Sequence, residues 1–162
     1  MKKSVTAIIA GLVLCSAFSF AFAAGDTKFS AKFIKNFKDC DKYEETISST
    51  FEDRNFTTNR KIIGWRNGFC KYEEIITSPV DQYQLSCSFS AIQLDELYNA
   101  MKSKSRELER YELETFAETI DPKTGAIKYK SIGTQTIKGN KAYIVWAKVQ
   151  NNPYFCKPQR IK

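Results

Sequence analysis

Residues 62–89, IIGWRNGFCKYEEIITSPVDQYQLSCSF, carry the signals that decide the fold. Asn67-Gly68 separates two apolar-rich runs, which predicts a two-residue type I′ turn between antiparallel strands. Proline cannot donate a hydrogen bond to a central ladder, so a second turn is predicted with its centre between Ser78 and Pro79. The stretch therefore predicts three consecutive antiparallel strands.

These two turns sort the side chains by polarity, because alternate residues of a strand point to opposite faces of the sheet. Glu74 is the exception on the apolar face. We expect its carboxyl to lie at a sheet end and reach water, and a buried acid with a raised pKa is the alternative. The predicted apolar face contains Ile63, Trp65, Cys70, Tyr72, Ile76, Tyr83, Leu85, Cys87 and Phe89.

The same register predicts a disulfide between Cys70 and Cys87. It places them directly opposite each other, where Cβ atoms are about 4.5–5.5 Å apart. Cys40 and Cys156 would then form a second bridge between the start and the end of the domain. The alternative is that these two cysteines stay free and buried, which is uncommon in an oxidising compartment.

The first 23 residues have the pattern of a secretory signal peptide. Lys2 and Lys3 precede an uncharged apolar run, and Ala21-Phe22-Ala23 forms a small-x-small cleavage site. This predicts cleavage after Ala23 and export to the periplasm or the extracellular space. The mature chain, residues 24–162, is predicted to form a single disulfide-stabilised domain without a membrane span.

Two alternatives for the leader are an uncleaved membrane anchor and a lipoprotein acylated at Cys15. The apolar run is slightly short for a span of about 20 residues. A lipoprotein signal needs a small residue before the cysteine, and Leu14 is large. We therefore interpret Cys15 as part of the apolar stretch.

Helices are predicted on both sides of the three strands. Phe29, Phe33, Ile34 and Phe37 fall at helical spacing and predict a short N-terminal helix that docks on its own core. A strand at about 44–51 then opens the antiparallel meander, residues 44–88. Ser90 and Gln93 form a capping box, which predicts a covering helix at about 90–105.

Residues 106–120 fit either an extended helix or a half-exposed strand, and we favour the strand. Asp121 to Gly125 then forms a turn that would set Glu118 near Lys128. A further hairpin is predicted around Gly139-Asn140, joining 132–137 to 142–149. The predicted class is α+β, with further antiparallel strands to the C-terminus.

Charge is distributed unevenly in a chain of net charge +7. Between Glu107 and Asp121 there are six carboxylates and one basic residue, whereas residues 122–162 contain nine basic residues and no acidic ones. This asymmetry indicates either an anion-binding tail or a solvated basic strand beside a solvated acidic one. We favour the second interpretation. The candidate anion-binding residues are Lys128, Lys130, Lys148 and Arg160.

Several classes of catalysis are excluded by missing residues. The chain contains no histidine, which removes the usual general base and the commonest zinc ligand. It also lacks Ser-x-x-Lys, Gly-x-Ser-x-Gly, Cys-x-x-Cys, dinucleotide and P-loop patterns. The acidic group Asp39, Asp41, Glu44 and Glu45 lacks a calcium-loop glycine, so we interpret it as solvated.

The sequence therefore predicts an exported, non-catalytic binding or interaction domain with no cofactor, no metal and no nucleic-acid partner. One alternative is binding to an anionic envelope component through the basic C-terminal third. The other is a carboxylate-dependent hydrolase, which would need two carboxylates converging in one pocket.

Overall fold

The computed structural model describes residues 29–51, 54–103, 105 and 107–161, so the predicted signal peptide and Cys15 lie outside the described residues. The elements are α1 (Ala31–Asp39), β1 (Tyr43–Phe51), β2 (Arg54–Arg66), β3 (Phe69–Thr77), β4 (Gln82–Phe89), α2 (Ala91–Met101), β5 (Glu109–Ile120), β6 (Ile127–Gly139), α3 (Lys141–Gln150) and β7 (Cys156–Arg160). The α+β class, the meander and both predicted helices are confirmed. Within the described part of the chain, no helix is long and apolar enough to cross a membrane.

Two separate antiparallel sheets make up the fold. Five strands pair in the order β1-β2-β3-β4-β7, and β5 pairs with β6 alone. The three helices cover one face of the five-stranded sheet, and the core forms between these layers. Two layers are sufficient to form a core, because the apolar face of the sheet is buried against the apolar faces of the helices.

An aromatic core joins the first and last helices to the sheet. Ser30 caps α1 by accepting a hydrogen bond from the Phe33 amide, and Phe33 and Phe37 are fully buried. The Trp146 ring of α3 packs against Phe37 at 5.8 Å and Tyr72 at 5.3 Å between centroids. Each such pair contributes about 0.5–1.5 kcal/mol beyond the area that it buries.

The first predicted turn is confirmed, and one bulge changes the strand that precedes it. Asn67 and Gly68 both have positive φ, and Trp65 pairs with Cys70 as predicted. The register then shifts between Ile62 and Gly64, so Ile62 opposes Tyr72 in place of Ile63. Gly64 adopts φ +105, which a glycine tolerates in a bulge. Ile62 is therefore the core residue, and Trp65 is exposed.

The second turn is two residues longer than the sequence predicts. The β3–β4 turn spans Ser78 to Asp81, whose amide donates a hydrogen bond to the Ser78 hydroxyl. This moves the register by two residues, so the faces keep their polarity while Cys70 opposes Phe89. Cys87 now pairs with Cys156 of β7.

Both predicted disulfide pairings are wrong, although all four cysteines are bridged. The bonds are Cys40–Cys70 and Cys87–Cys156, with Cα–Cα distances of 5.8 and 4.1 Å. The first fastens α1 to β3, and the second fastens β7 to β4. The sequence argument failed because it lacked the two-residue shift and did not place β7 beside β4. Two disulfides are typical of proteins from an oxidising compartment.

The C-terminal half contains one confirmed strand pair and one error. Residues 109–120 form β5, as we favoured, and Asp121 closes the following turn by accepting from the Lys123 amide. Glu118 opposes Tyr129, one residue away from the predicted Lys128. The predicted hairpin at Gly139-Asn140 is wrong, because Asn140 caps α3.

Candidate functional site

Five polar and charged side chains meet beside Phe29 and Ser30. In this Arg60 cluster, the guanidinium of Arg60 lies 3.8 Å from a carboxylate oxygen of Glu45 and 3.6 Å from one of Glu74. The Tyr72 hydroxyl and the Gln150 amide donate to Glu74 Oε2 at 2.9 and 2.7 Å. The cluster thus joins β1, β2, β3 and α3.

Glu74 lies inside the protein, so our expectation of a solvated residue is wrong. Its exposed fraction is 3%, and its charge is matched by Arg60 and two hydrogen-bond donors. The pKa of Tyr72 is raised well above its usual range, first by burial and then by the neighbouring Glu74 carboxylate. The bulge places Arg60 on the inner face, which is why the sequence did not reveal this group.

Glu45 and Glu74 are the carboxylates that converge in this region, and the Arg60 guanidinium occupies the space between them. The Phe29 ring lies 4.7 Å from that guanidinium, and the Ser30 hydroxyl donates to Glu45. Hydrolysis by two carboxylates requires a substrate between them. The arrangement instead fits a buried ion cluster that fixes the register of three strands.

The four predicted anion-binding residues lie on three elements. Lys128 and Lys130 share one face of β6, and Lys128 Nζ contacts the Asp121 carboxylate at 2.6 Å. Lys148 of α3 lies over the Tyr111 ring at 5.2 Å. Arg160 of β7 forms an ion pair with Asp81. Three of the four therefore already have a partner within the chain.

The pair β5–β6, with its turn at residues 121–126, forms a two-stranded element that we call the ribbon. Its main contact with the rest of the described chain is α3. There the Asn151 side chain donates to the Glu114 carbonyl, and the Tyr129 and Tyr154 rings pack edge to face at 5.3 Å. Each ribbon strand pairs with one described strand, so no further described strand lies along either outer edge.

The far end of the ribbon exposes branched apolar side chains. Ile120 and Ile127 oppose each other across the strands and are 71% and 60% exposed. Ile132, at the register shift in β6, is exposed as well. At the turn itself, the Lys128 ammonium lowers the pKa of the Asp121 carboxyl through its hydrogen bond. The tip therefore presents two opposed, exposed isoleucines beside the Asp121–Lys128 ion pair.

A second surface feature is an open cleft between α1 and α2, which we call the lysine cleft. Its volume is 440 Å³. Lys38 Nζ and Lys102 Nζ lie 5.8 and 5.1 Å from the centroid of the Tyr98 ring. The full lining is Ala31, Ile34, Lys35, Lys38, Asp39, Tyr98 and Lys102.

Comparison with protein-family models, curated proteins and solved structures finds no match to this chain. Among the described residues, no group of three histidine, cysteine, aspartate or glutamate side chains is placed to hold a metal ion. The candidate sites are therefore argued from their own geometry.

Sequence reasoning missed the lysine cleft for a definable reason. The lysines of α1 and Tyr98 of α2 lie in separate segments of the chain, about 60 residues apart. Their juxtaposition depends on how the two helices pack. The helical spacing of Lys35 and Lys38 was the available signal, and it does not identify the facing Lys102.

Proposed function

We propose that the protein is an exported, non-catalytic binding protein that contacts a protein partner through the tip of the ribbon. The observation that carries the proposal is the exposure of Ile120 and Ile127 at the far end of the ribbon. Contiguous exposed apolar side chains are a common mark of interaction sites. Open strand edges next to them can receive an extended segment of another chain.

The rest of the molecule supports this assignment by contrast. The Arg60 cluster has its carboxylates matched and covered, which gives no support to the hydrolase alternative. Of the four candidate anion-binding residues, Lys128 contacts Asp121, Arg160 pairs with Asp81 and Lys148 lies over the Tyr111 ring. Binding of an anionic envelope component through the basic C-terminal third is therefore the weaker alternative, because three of its four candidate residues already have a partner within the chain.

Site-specific photocrosslinking tests the proposal. Ile127 is replaced by p-benzoylphenylalanine in the exported protein, with the same replacement at Ile92 as the control, since Ile92 is 82% exposed on α2. We expect a discrete adduct from position 127 and none from position 92. Protease should digest the attached partner, and Ile120→Thr should weaken the adduct.

Three results would overturn the proposal. One is the absence of any adduct at position 127, and another is equal adducts at both positions. The third is an attached partner that resists protease, which would favour an anionic polysaccharide.

A further inference from the structure

We propose that the lysine cleft binds a phosphate monoester group. Lys35 and Lys38 come from α1, and Lys102 follows the last turn of α2, so two elements contribute three lysines to the lining of one open cleft. None of the three forms an ion pair with a described residue within 4.0 Å. Their charges are thus not neutralised by an ion pair with the described residues.

Tyr98 gives this surface a defined geometry. Its ring faces Lys38 Nζ and Lys102 Nζ at 5.8 and 5.1 Å, within the range of cation–π attraction. Both ammonium groups therefore lie within about 6 Å of the centroid of one ring, although they come from different helices. Ala31 and Ile34 add an apolar margin suited to the organic part of a phosphate ester.

Charge matching selects the ligand class. The lining contains three lysines and one carboxylate, Asp39. A phosphate monoester carries about −1.5 to −2 charges at pH 7 and three acceptor oxygens, which complements this lining. A carboxylate or a phosphodiester carries a single charge and leaves part of the lining unmatched.

The helix dipole is a simpler explanation for two of the three lysines. Lys38 lies in the last turn of α1, and Lys102 is the C-cap of α2, where cations stabilise the helix dipole. This explanation does not require Lys35, nor does it require the two helix ends to face one cleft. Binding measurements separate the two accounts.

The test uses the mature protein, with inorganic phosphate as the probe. Phosphate binding is measured by calorimetry and by the chemical-shift changes of amides around Tyr98. The test variant is Lys35→Gln with Lys38→Gln. The control is Lys32→Gln with Lys42→Gln, which removes the same charge from residues that do not line the cleft. We expect phosphate affinity to fall about tenfold or more in the test variant and to stay within about threefold in the control.

Vesicles identify the source of the phosphate. Vesicles containing phosphatidic acid present a monoester, and those containing phosphatidylglycerol present a diester. Binding to the first over the second at matched surface charge indicates a lipid ligand, whereas binding of inorganic phosphate alone indicates a soluble ester. Both results support the cleft.

Two results would overturn the inference. One is equal loss of phosphate affinity in the test and control variants, which would mean non-specific electrostatic attraction. The other is no saturable phosphate binding at physiological salt, where distant exposed charges are screened. The cleft and the ribbon tip share no residue, so the outcome of this experiment is independent of the ribbon proposal.

Discussion

Strands β2 and β6 are the same length, 13 residues each, yet they lie in very different surroundings. β2 has a paired strand on both sides, a disulfide-linked neighbour and helices over its inner face. Among the described residues, β6 pairs with one strand and packs mainly against one helix. The comparison teaches that strand length does not decide stability, since a two-stranded ribbon is marginal unless other elements pack on it.

The largest expected effect on the free energy of unfolding comes from breaking a buried ion pair of β2. An exposed ion pair on the same strand serves as the comparison. Arg60 and Lys61 each lie 3.8 Å from a carboxylate, but the Lys61–Glu44 pair is about half exposed. Arg60→Ala leaves two buried carboxylates without their cation, and should reduce the free energy of unfolding by about 3–5 kcal/mol. Lys61→Ala should cost at most about 1 kcal/mol.

Urea denaturation of both variants provides the measurement. Similar losses in the two would show that the Arg60 cluster is solvated and contributes little to the register of the sheet.

A smaller contrast compares one residue type in the two regions. Ile62 is 1% exposed in the aromatic core, and Ile127 is 60% exposed on the ribbon. Ile62→Ala should destabilise the protein by about 2–5 kcal/mol through lost burial and a residual cavity. Ile127→Ala should change stability by less than about 0.5 kcal/mol, as exposed positions usually do.

Thermal or urea unfolding of the two variants checks the contrast. A loss at Ile127 as large as the loss at Ile62 would mean that the ribbon tip is buried in solution, for instance against a second copy of the chain.

Features set by neighbouring residues could be predicted from the sequence. Asn67-Gly68 gave the first turn, and Ser90 with Gln93 gave the capping box of α2, whose reciprocal hydrogen bonds are present. Each of these depends on backbone conformations within a few residues. The faces of β3 and β4 also survived the error at the second turn, because a shift of two residues preserves side-chain alternation.

Features set by distant packing could not be predicted in the same way. The pairing of Cys87 with Cys156 spans 69 residues and depends on β7 adding to the far edge of the meander. The position of Arg60 depends on the bulge at Ile63. Gly139-Asn140 resembled a hairpin turn, although the spacing of Ala142, Trp146 and Val149 also fits the helix that forms there.

The central claim of the comparison is that the ribbon, which has no third described strand beside it, opens at a lower free energy than the disulfide-bonded sheet. Native-state hydrogen exchange in low concentrations of urea tests it directly. The amides of Tyr72 and Cys87 should exchange only through global unfolding, with a strong dependence on urea. The paired amides between Glu112 and Glu118 should exchange through local opening, at a free energy lower by several kcal/mol and almost independent of urea. Exchange of both regions at the same free energy, with the same urea dependence, would contradict the account.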